Sequence, residues 1–364
     1  MSLKFELSDK PESYGHHFIV GLSGVTLDDY DKAILGKIKP AGVLLLRRNF
    51  DHGRNYSEWL ALLKRLLKEV REYTERDDII VSIDHEGGRV HRAPAPITRF
   101  PPALKYAKRS SEVAKAMAIE LKSMGVNVSW SPLADIHSNQ KNPIIGDRAF
   151  GTTAHEVAEN AAIFLQSLSE NEILGCAKHY PGHGDTLKDS HLELPSLELD
   201  LKTLRERELV PFRALTQMQV PFVMTAHILY PQIDSLWPAT FSEKLLGDIL
   251  RKEMAYEGII ISDDLDMQAV SNELKSEGAI GRAMIAGCDM FIVARNPDPS
   301  TDRPLVLTNY LYRCVKERII SEGRLHQSFS RIDQLFKDKL KQHPVEKLEE
   351  EIFESHAQLA RDLA

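Results

Sequence analysis

Short runs of consecutive apolar residues alternate along this chain with longer stretches in which apolar residues recur at helical spacing. The runs at 17–22, 41–46, 79–83, 126–130, 173–177, 221–226, 258–262 and 290–294 show no alternation of polar and apolar positions, which suits parallel strands covered on both faces. Between them, amphipathic stretches predict helices over about 27–38, 56–74, 111–124, 154–170, 201–218, 242–255 and 278–286, and one over 304–320 closes the series. In 56–74, for instance, Leu60, Leu63, Leu66, Leu67 and Val70 share one stripe. No G-x-G-x-x-G follows the first strand, so eight strand–helix units predict an α/β fold of the (β/α)8 TIM-barrel type rather than an open doubly wound sheet. The barrel is expected over 1–340. Beyond Pro344, the residues Val345, Leu348, Ile352, Leu359 and Leu363 repeat at helical spacing, and a C-terminal amphipathic helix is expected within a tail, 341–364, that packs on the barrel or on a partner.

Composition narrows the partners. With 364 residues, 43% hydrophobic and 27% charged, the chain is typical of a soluble globular protein, and its net charge of −7 argues against nucleic acid as a partner. No apolar run is long enough for a bilayer and the first 13 residues have no apolar leader segment, so no membrane role and a cytoplasmic location are expected. Cys176, Cys288 and Cys314 are three and widely spaced, which suits reduced buried thiols better than a disulfide framework.

The chemistry concentrates after strand ends. Residues 178–191, KHYPGHGDTLKDSH, hold three His, two Asp and two Lys in fourteen positions. Pro181, Gly182 and Gly184 forbid helix there and predict a loop leaving the strand at 173–177. His179, His183, Asp185, Asp189 and His191 can be read as metal ligands, although in an irregular loop they match no ligand spacing. Alternatively Asp189 and His191 form a carboxylate–imidazole pair in which the Asp orients the ring and favours its charged form. A hydrogen-bonded structural loop would explain any one of these residues but not the whole cluster.

A second packet, Asp84-His85-Glu86-Gly87-Gly88-Arg89-Val90-His91-Arg92, follows the third strand, and a third, Asp263-Asp264-Leu265-Asp266, follows the seventh. Arg47, Asp135, His227 and Arg295 are single polar residues at other strand ends, and Arg148 lies in a long loop after the fourth strand. In a barrel these ends converge on one face, where active sites of the fold are built. A carboxylate held at the end of a strand, such as Asp263, can attack an anomeric carbon; the plainer reading is that one of Asp263, Asp264 and Asp266 caps the next helix, and both can hold for different members.

Taken together, Lys178 to Thr186 with Asp189-Ser190-His191, the run Ile249-Leu250-Arg251-Lys252-Glu253 followed by Gly258 to Asp263, and Asp84-x-Glu86-Gly87-Gly88-Arg89-Val90 strongly resemble the β-N-acetylhexosaminidase branch of the family-three glycoside hydrolases. The likeness covers nearly the whole barrel. It implies a retaining hydrolase that removes terminal β-linked N-acetylglucosamine, often from cell-wall fragments, without metal or other cofactor. By motif position it makes Asp263 the nucleophile, His191 the acid/base and Asp189 its partner. Asp84, Arg92, Arg148, Lys178 and His179 would bind the N-acetylglucosamine. The tail 341–364 resembles the linker that leads, in two-domain relatives, into a second α/β domain. A noncatalytic sugar-binding barrel and a metal-dependent amidohydrolase are the rival readings.

Overall fold

The computed structural model describes residues 10–186, 194–294 and 302–364. Eight strands, β1 (Phe18–Gly21), β2 (Gly42–Leu45), β3 (Ile80–Ile83), β4 (Val128–Ser129), β5 (Cys176–Tyr180), β6 (Phe222–Thr225), β7 (Ile259–Asp264) and β8 (Met290–Val293), form one sheet. Every pairing within it is parallel. The seam between β4 and β5 is drawn together by a parallel bridge from Val128 to Leu174 and another from Leu133 to Lys178. The result is the expected (β/α)8 barrel.

The continuous apolar strands fill two layers. Inward residues such as Ile19, Leu44, Ile80, Trp130, Met224, Ile261 and Ile292 form the barrel interior. Their outward neighbours, Val20, Val43, Val81 and Val293, pack under the helices. Gly42 pairs with Ile80, and a Cβ on it would stand 2.5 Å from the Ile80 Cβ, so only glycine fits at that crowded step of the interior.

The helix Tyr56–Thr74 shows how pattern becomes structure. Asn55 caps it, taking the Glu58 N–H while Glu58 reaches back, and Leu63, Leu66, Leu67 and Val70 of the predicted stripe are buried. Truncating Leu63 to Ala there would cost about 3 kcal/mol.

Two elements depart from the sequence reading. A helix over Glu322–Gln334 was not anticipated; it brings Ile332, with Leu335 and Leu340 beyond it, into the barrel interior and closes the end opposite the strands' C-termini. Buried Asp289, just before β8, draws Arg251, Arg324 and Arg331 to the same end. The C-terminal helix runs Glu350–Asp362, shorter than the 345–363 expected, because Val345 pairs in extended form with Met124. Its Phe353 is buried edge-on to Tyr56, at 5.3 Å between ring centres, and His356 Nδ1 lies 2.7 Å from buried Glu120. The tail therefore packs on the barrel's own helices.

Candidate active site

At the C-terminal end of the strands lies a pocket of about 490 Å³. Its floor is apolar, with Leu44, Trp130, Met224 and Ile292, and its walls carry Asp84, Glu86, Arg92, Arg148, Lys178, His179, His183, Asp263 and Asp264. A few polar groups converging over an apolar floor are what a small ligand with one hydrophobic and several hydrogen-bonding faces requires.

One wall is a network of five charges. Lys178 is buried and donates to Asp84 Oδ1 at 2.9 Å and to Glu86 Oε1 at 2.6 Å. Arg148 grips Glu86 with two hydrogen bonds, and Arg92 lies 3.4 Å from the other Asp84 oxygen. Burial by itself would push both carboxyls up. At Asp84 the Lys178 and Arg92 charges outweigh it, and at Glu86 the Arg148 and Lys178 charges do, so each is held below the usual carboxylate range. Three cations face two carboxylates, which leaves donors in excess, suited to the oxygens of a sugar.

Lys178 and His179 are on the strand, not on a loop after it. The apolar run predicted a strand at 173–177, yet β5 spans Cys176–Tyr180. The charged residues continue the strand because here they are buried and paired. A register shift against β6 between Ala177 and Tyr180 turns the side chains locally.

Below Lys178, the buried Asp135 organises the imidazoles. It accepts from His179 Nδ1 at 2.7 Å and from the His183 N–H at 2.7 Å. Burial raises its carboxyl less than His179 and His183 lower it. With Nδ1 turned to Asp135, Nε2 is the ring nitrogen of His179 that Asp135 does not engage. His183, buried and near the His179 ring, is pushed down to about 4 and is neutral at pH 7, with Asp135 opposing the shift.

On the opposite wall β7 also shifts register, between Ile261 and Asp264, and two successive aspartates line the pocket. They differ in employment. Asp264 Oδ1 accepts the Ala294 N–H at 2.8 Å and the Asp266 N–H at 3.0 Å, tying β7 to β8 and capping the turn, and burial with the Asp266 charge raises its carboxyl to about 7. Asp266 pairs with Arg303 at 2.8 Å. Among the described residues the Asp263 carboxylate accepts one hydrogen bond, from the Asp264 N–H at 2.8 Å.

The structure thus brings Asp84, Arg92, Arg148, Lys178, His179 and Asp263 to one pocket. Asp189, His191 and Arg295 lie outside the described residues. Three of the described strand-end residues do not line the pocket as expected: Arg47 opens a turn beside it, Asp135 is buried behind the imidazoles it holds, and His227 is buried behind, bonded to Thr240 and to the Asp264 carbonyl. Sequence reasoning gave no role to Glu86 and placed Asp135 only at a strand end. Glu86 stands two residues from Asp84, and that spacing was the available signal.

Comparison with known proteins agrees with this geometry. Residues 22–335 match the glycosyl hydrolase family 3 N-terminal domain. A β-hexosaminidase of Nitrosomonas eutropha is 31% identical over 328 residues, 87% of this chain and 91% of that protein. One from Methylococcus capsulatus is 37% identical over 287 residues, 76% of this chain and 82% of that protein. Among solved structures, a family 3 β-N-acetylglucosaminidase from Paenibacillus superposes with a TM-score of 0.85 at 28% identity, covering 98% of this chain and 68% of that one. NagZ from Neisseria gonorrhoeae, solved with N-trifluoroacetyl-D-glucosamine, superposes with a TM-score of 0.67 at 28% identity, covering 88% and 98%. The match of the family domain across the barrel, with relatives over 30% identical along most of their length, shows that this chain belongs to glycosyl hydrolase family 3.

Proposed function

We propose that this β-N-acetylhexosaminidase is a retaining exo-β-N-acetylglucosaminidase acting on terminal β-linked N-acetylglucosamine, and that its substrates are peptidoglycan fragments turned over in the cytoplasm. The observation that carries the reading is the division of the pocket. A wall of paired charges, Asp84, Lys178, Arg92 and Arg148, stands across an apolar floor from Asp263, an aspartate that its two acidic neighbours leave to the pocket. The charged wall supplies donors and acceptors in the paired arrangement that vicinal hydroxyls and an acetamido group require.

In this mechanism the Asp263 carboxylate attacks the anomeric carbon as the glycosidic bond breaks, and the departing oxygen takes a proton from His191. The neutral imidazole then removes a proton from water, which attacks the anomeric carbon and releases Asp263. Asp189 keeps the imidazole charged before the first step. Two displacements at one carbon return the starting configuration.

The test is turnover of p-nitrophenyl β-N-acetylglucosaminide beside the glucoside and N-acetylgalactosaminide analogues, with and without chelator, and NMR of the first-formed sugar. Selective turnover of the N-acetylglucosaminide, releasing N-acetylglucosamine first as the β-anomer and indifferent to chelator, is expected. Initial α-anomer would overturn retention, and failure to turn over any of the three would overturn the glycosidase reading.

A further inference from the structure

The segment 182–186 that follows β5 is held from two sides. On one side Asn142 Nδ2 donates to the His183 carbonyl at 2.8 Å and to the Thr186 hydroxyl at 3.2 Å. On the other lies a single wide turn of helix, Leu204–Glu208. Glu208 is buried there directly against Gly182, whose φ is 136°, and a Cβ on that glycine would stand 2.8 Å from Glu208 Oε2. Arg207 bridges outward from the same turn. Its Nε donates to Glu208 Oε1 at 2.6 Å and its Nη2 to Asp185 Oδ2 at 2.6 Å. Glu208 Oε2 is buried with no hydrogen-bond partner among the described residues. Neither Arg207, Glu208 nor Asp185 lines the pocket, but the segment they grip does so through His183 and is bonded to His179 through the Gly182 N–H at 2.7 Å.

We propose that Arg207 is a positioning residue: by bridging Glu208 and Asp185 it ties the segment 182–186 to the helix behind it and so sets where His179 and His183 stand against the sugar. The proposal rests on the glycosidase reading above. Asp135 fixes the backbone of this segment from below and Arg207 fixes it from behind, so the loss of either lets both imidazoles shift.

The tether depends on charge. Burial raises the Glu208 carboxyl to about 7, with Arg207 opposing and Asp135 and Asp185 adding to the rise. Among the described residues the Tyr230 hydroxyl also faces it, itself pushed up by burial and then by the Glu208 charge. Below about 7 Glu208 is neutral and its leg of the bridge weakens, so Arg207 is held less firmly towards Asp185. Above it the charged Glu208 accepts from Nε while Asp185 accepts from Nη2, two different N–H groups of one guanidinium, and the bridge tightens.

The experiment is KM and kcat for p-nitrophenyl β-N-acetylglucosaminide, with the dissociation constant of free N-acetylglucosamine, across neutral pH. A half-buried ion pair supports a fall in KM and in the dissociation constant of about fivefold from about pH 6 to about pH 8 in the unmodified protein. Glu208→Gln should flatten that fall. Arg207→Ala should raise KM at both ends with kcat within about twofold, and Arg207→Lys should recover part of the loss. If Glu208→Gln keeps the pH dependence of the unmodified protein, or Arg207→Ala leaves KM and sugar affinity unchanged, the tether is overturned. Should Glu208→Gln not fold, the Arg207→Ala and Arg207→Lys pair decides alone. Absence of turnover in the unmodified protein strikes the glycosidase reading instead, because the tether is read from ratios of variant to unmodified affinity.

Discussion

Arg148 holds Glu86 by two parallel hydrogen bonds, Nε to Oε2 at 2.8 Å and Nη2 to Oε1 at 2.9 Å, while Lys178 takes Oε1 from a third direction at 2.6 Å. Glu86 is buried, and among the described residues these two cations are the ones paired with its charge. Glu86→Gln keeps the shape and removes the charge, leaving Arg148 and Lys178 to share Asp84. We expect a loss of about 3 kcal/mol in stability, read by urea unfolding, and a KM increased on the order of tenfold. A variant as stable as the parent would show that the network is not anchored at Glu86.

The same network explains what the sequence made legible and what it hid. The barrel was readable because eight strands buried on both faces cannot alternate, and runs such as 41–46 and 290–294 say so without help from the rest of the chain. Lys178 and His179 were readable as site residues but not as strand residues, since a buried ammonium is recognisable only when Asp84 and Glu86, about ninety positions earlier, are seen beside it. The helix Glu322–Gln334 escaped for a related reason. Its buried face is only Leu325, Ser328, Phe329 and Ile332 amid charged residues, and the arginines that attach it find Asp289, whose burial no local pattern reveals.

Asp263 and Asp264 are adjacent, yet only one is expected to carry a covalent sugar. Asp263→Asn should lower kcat on the order of a thousandfold or more with an unchanged unfolding midpoint. Asp264→Asn should act chiefly on stability, because the carboxyl it replaces accepts the Ala294 and Asp266 N–H groups. Trapping with a 5-fluoro glycosyl fluoride followed by peptide mass mapping separates them. Label on Asp264 or Asp266 would contradict the assignment.

His85 sits between Asp84 and Glu86 with both ring nitrogens buried and without a hydrogen-bond partner among the described residues. Burial first, then the neighbouring His91 and Arg92, lower it from 6.5 to about 3. The unfolded chain therefore takes up this proton before the folded one does. Stability from the neutral ring is complete above 6.5 and is lost progressively as pH falls towards about 3. His85→Gln does not titrate, so its unfolding free energy relative to the parent should improve by about 2 kcal/mol between about pH 7.5 and about pH 5. A difference that stays constant with pH would mean that His85 is solvated.

The C-terminal helix contributes stability without touching the pocket. Phe353 is its buried residue, set against Tyr56, and His356 faces Glu120. Phe353→Ala should cost about 3 kcal/mol, read as a lower melting temperature, and leave kcat and KM unchanged at 25 °C. A changed KM would connect the tail to the site.

The remaining prediction concerns the proton donor. An imidazolium gives up its proton as a cation, so the proposed mechanism requires Asp189 beside His191 to keep it charged near neutral pH, and after donation the neutral ring can activate the water that hydrolyses the glycosyl-enzyme. One residue then serves both half-reactions, and its loss should slow both. The first step has a remedy that the second lacks: dinitrophenolate departs without a proton. In His191→Ala, glycosylation by a dinitrophenyl glycoside should therefore approach the unmodified rate while the natural disaccharide remains slow on the order of a hundredfold or more. Deglycosylation becomes limiting, and the glycosyl-enzyme on Asp263 should accumulate as a burst of dinitrophenolate. Azide, which needs no general base, should then relieve it by forming the glycosyl azide. If His191→Ala instead slows glycosylation equally for both substrates, with no burst and no rescue, His191 does not transfer the proton.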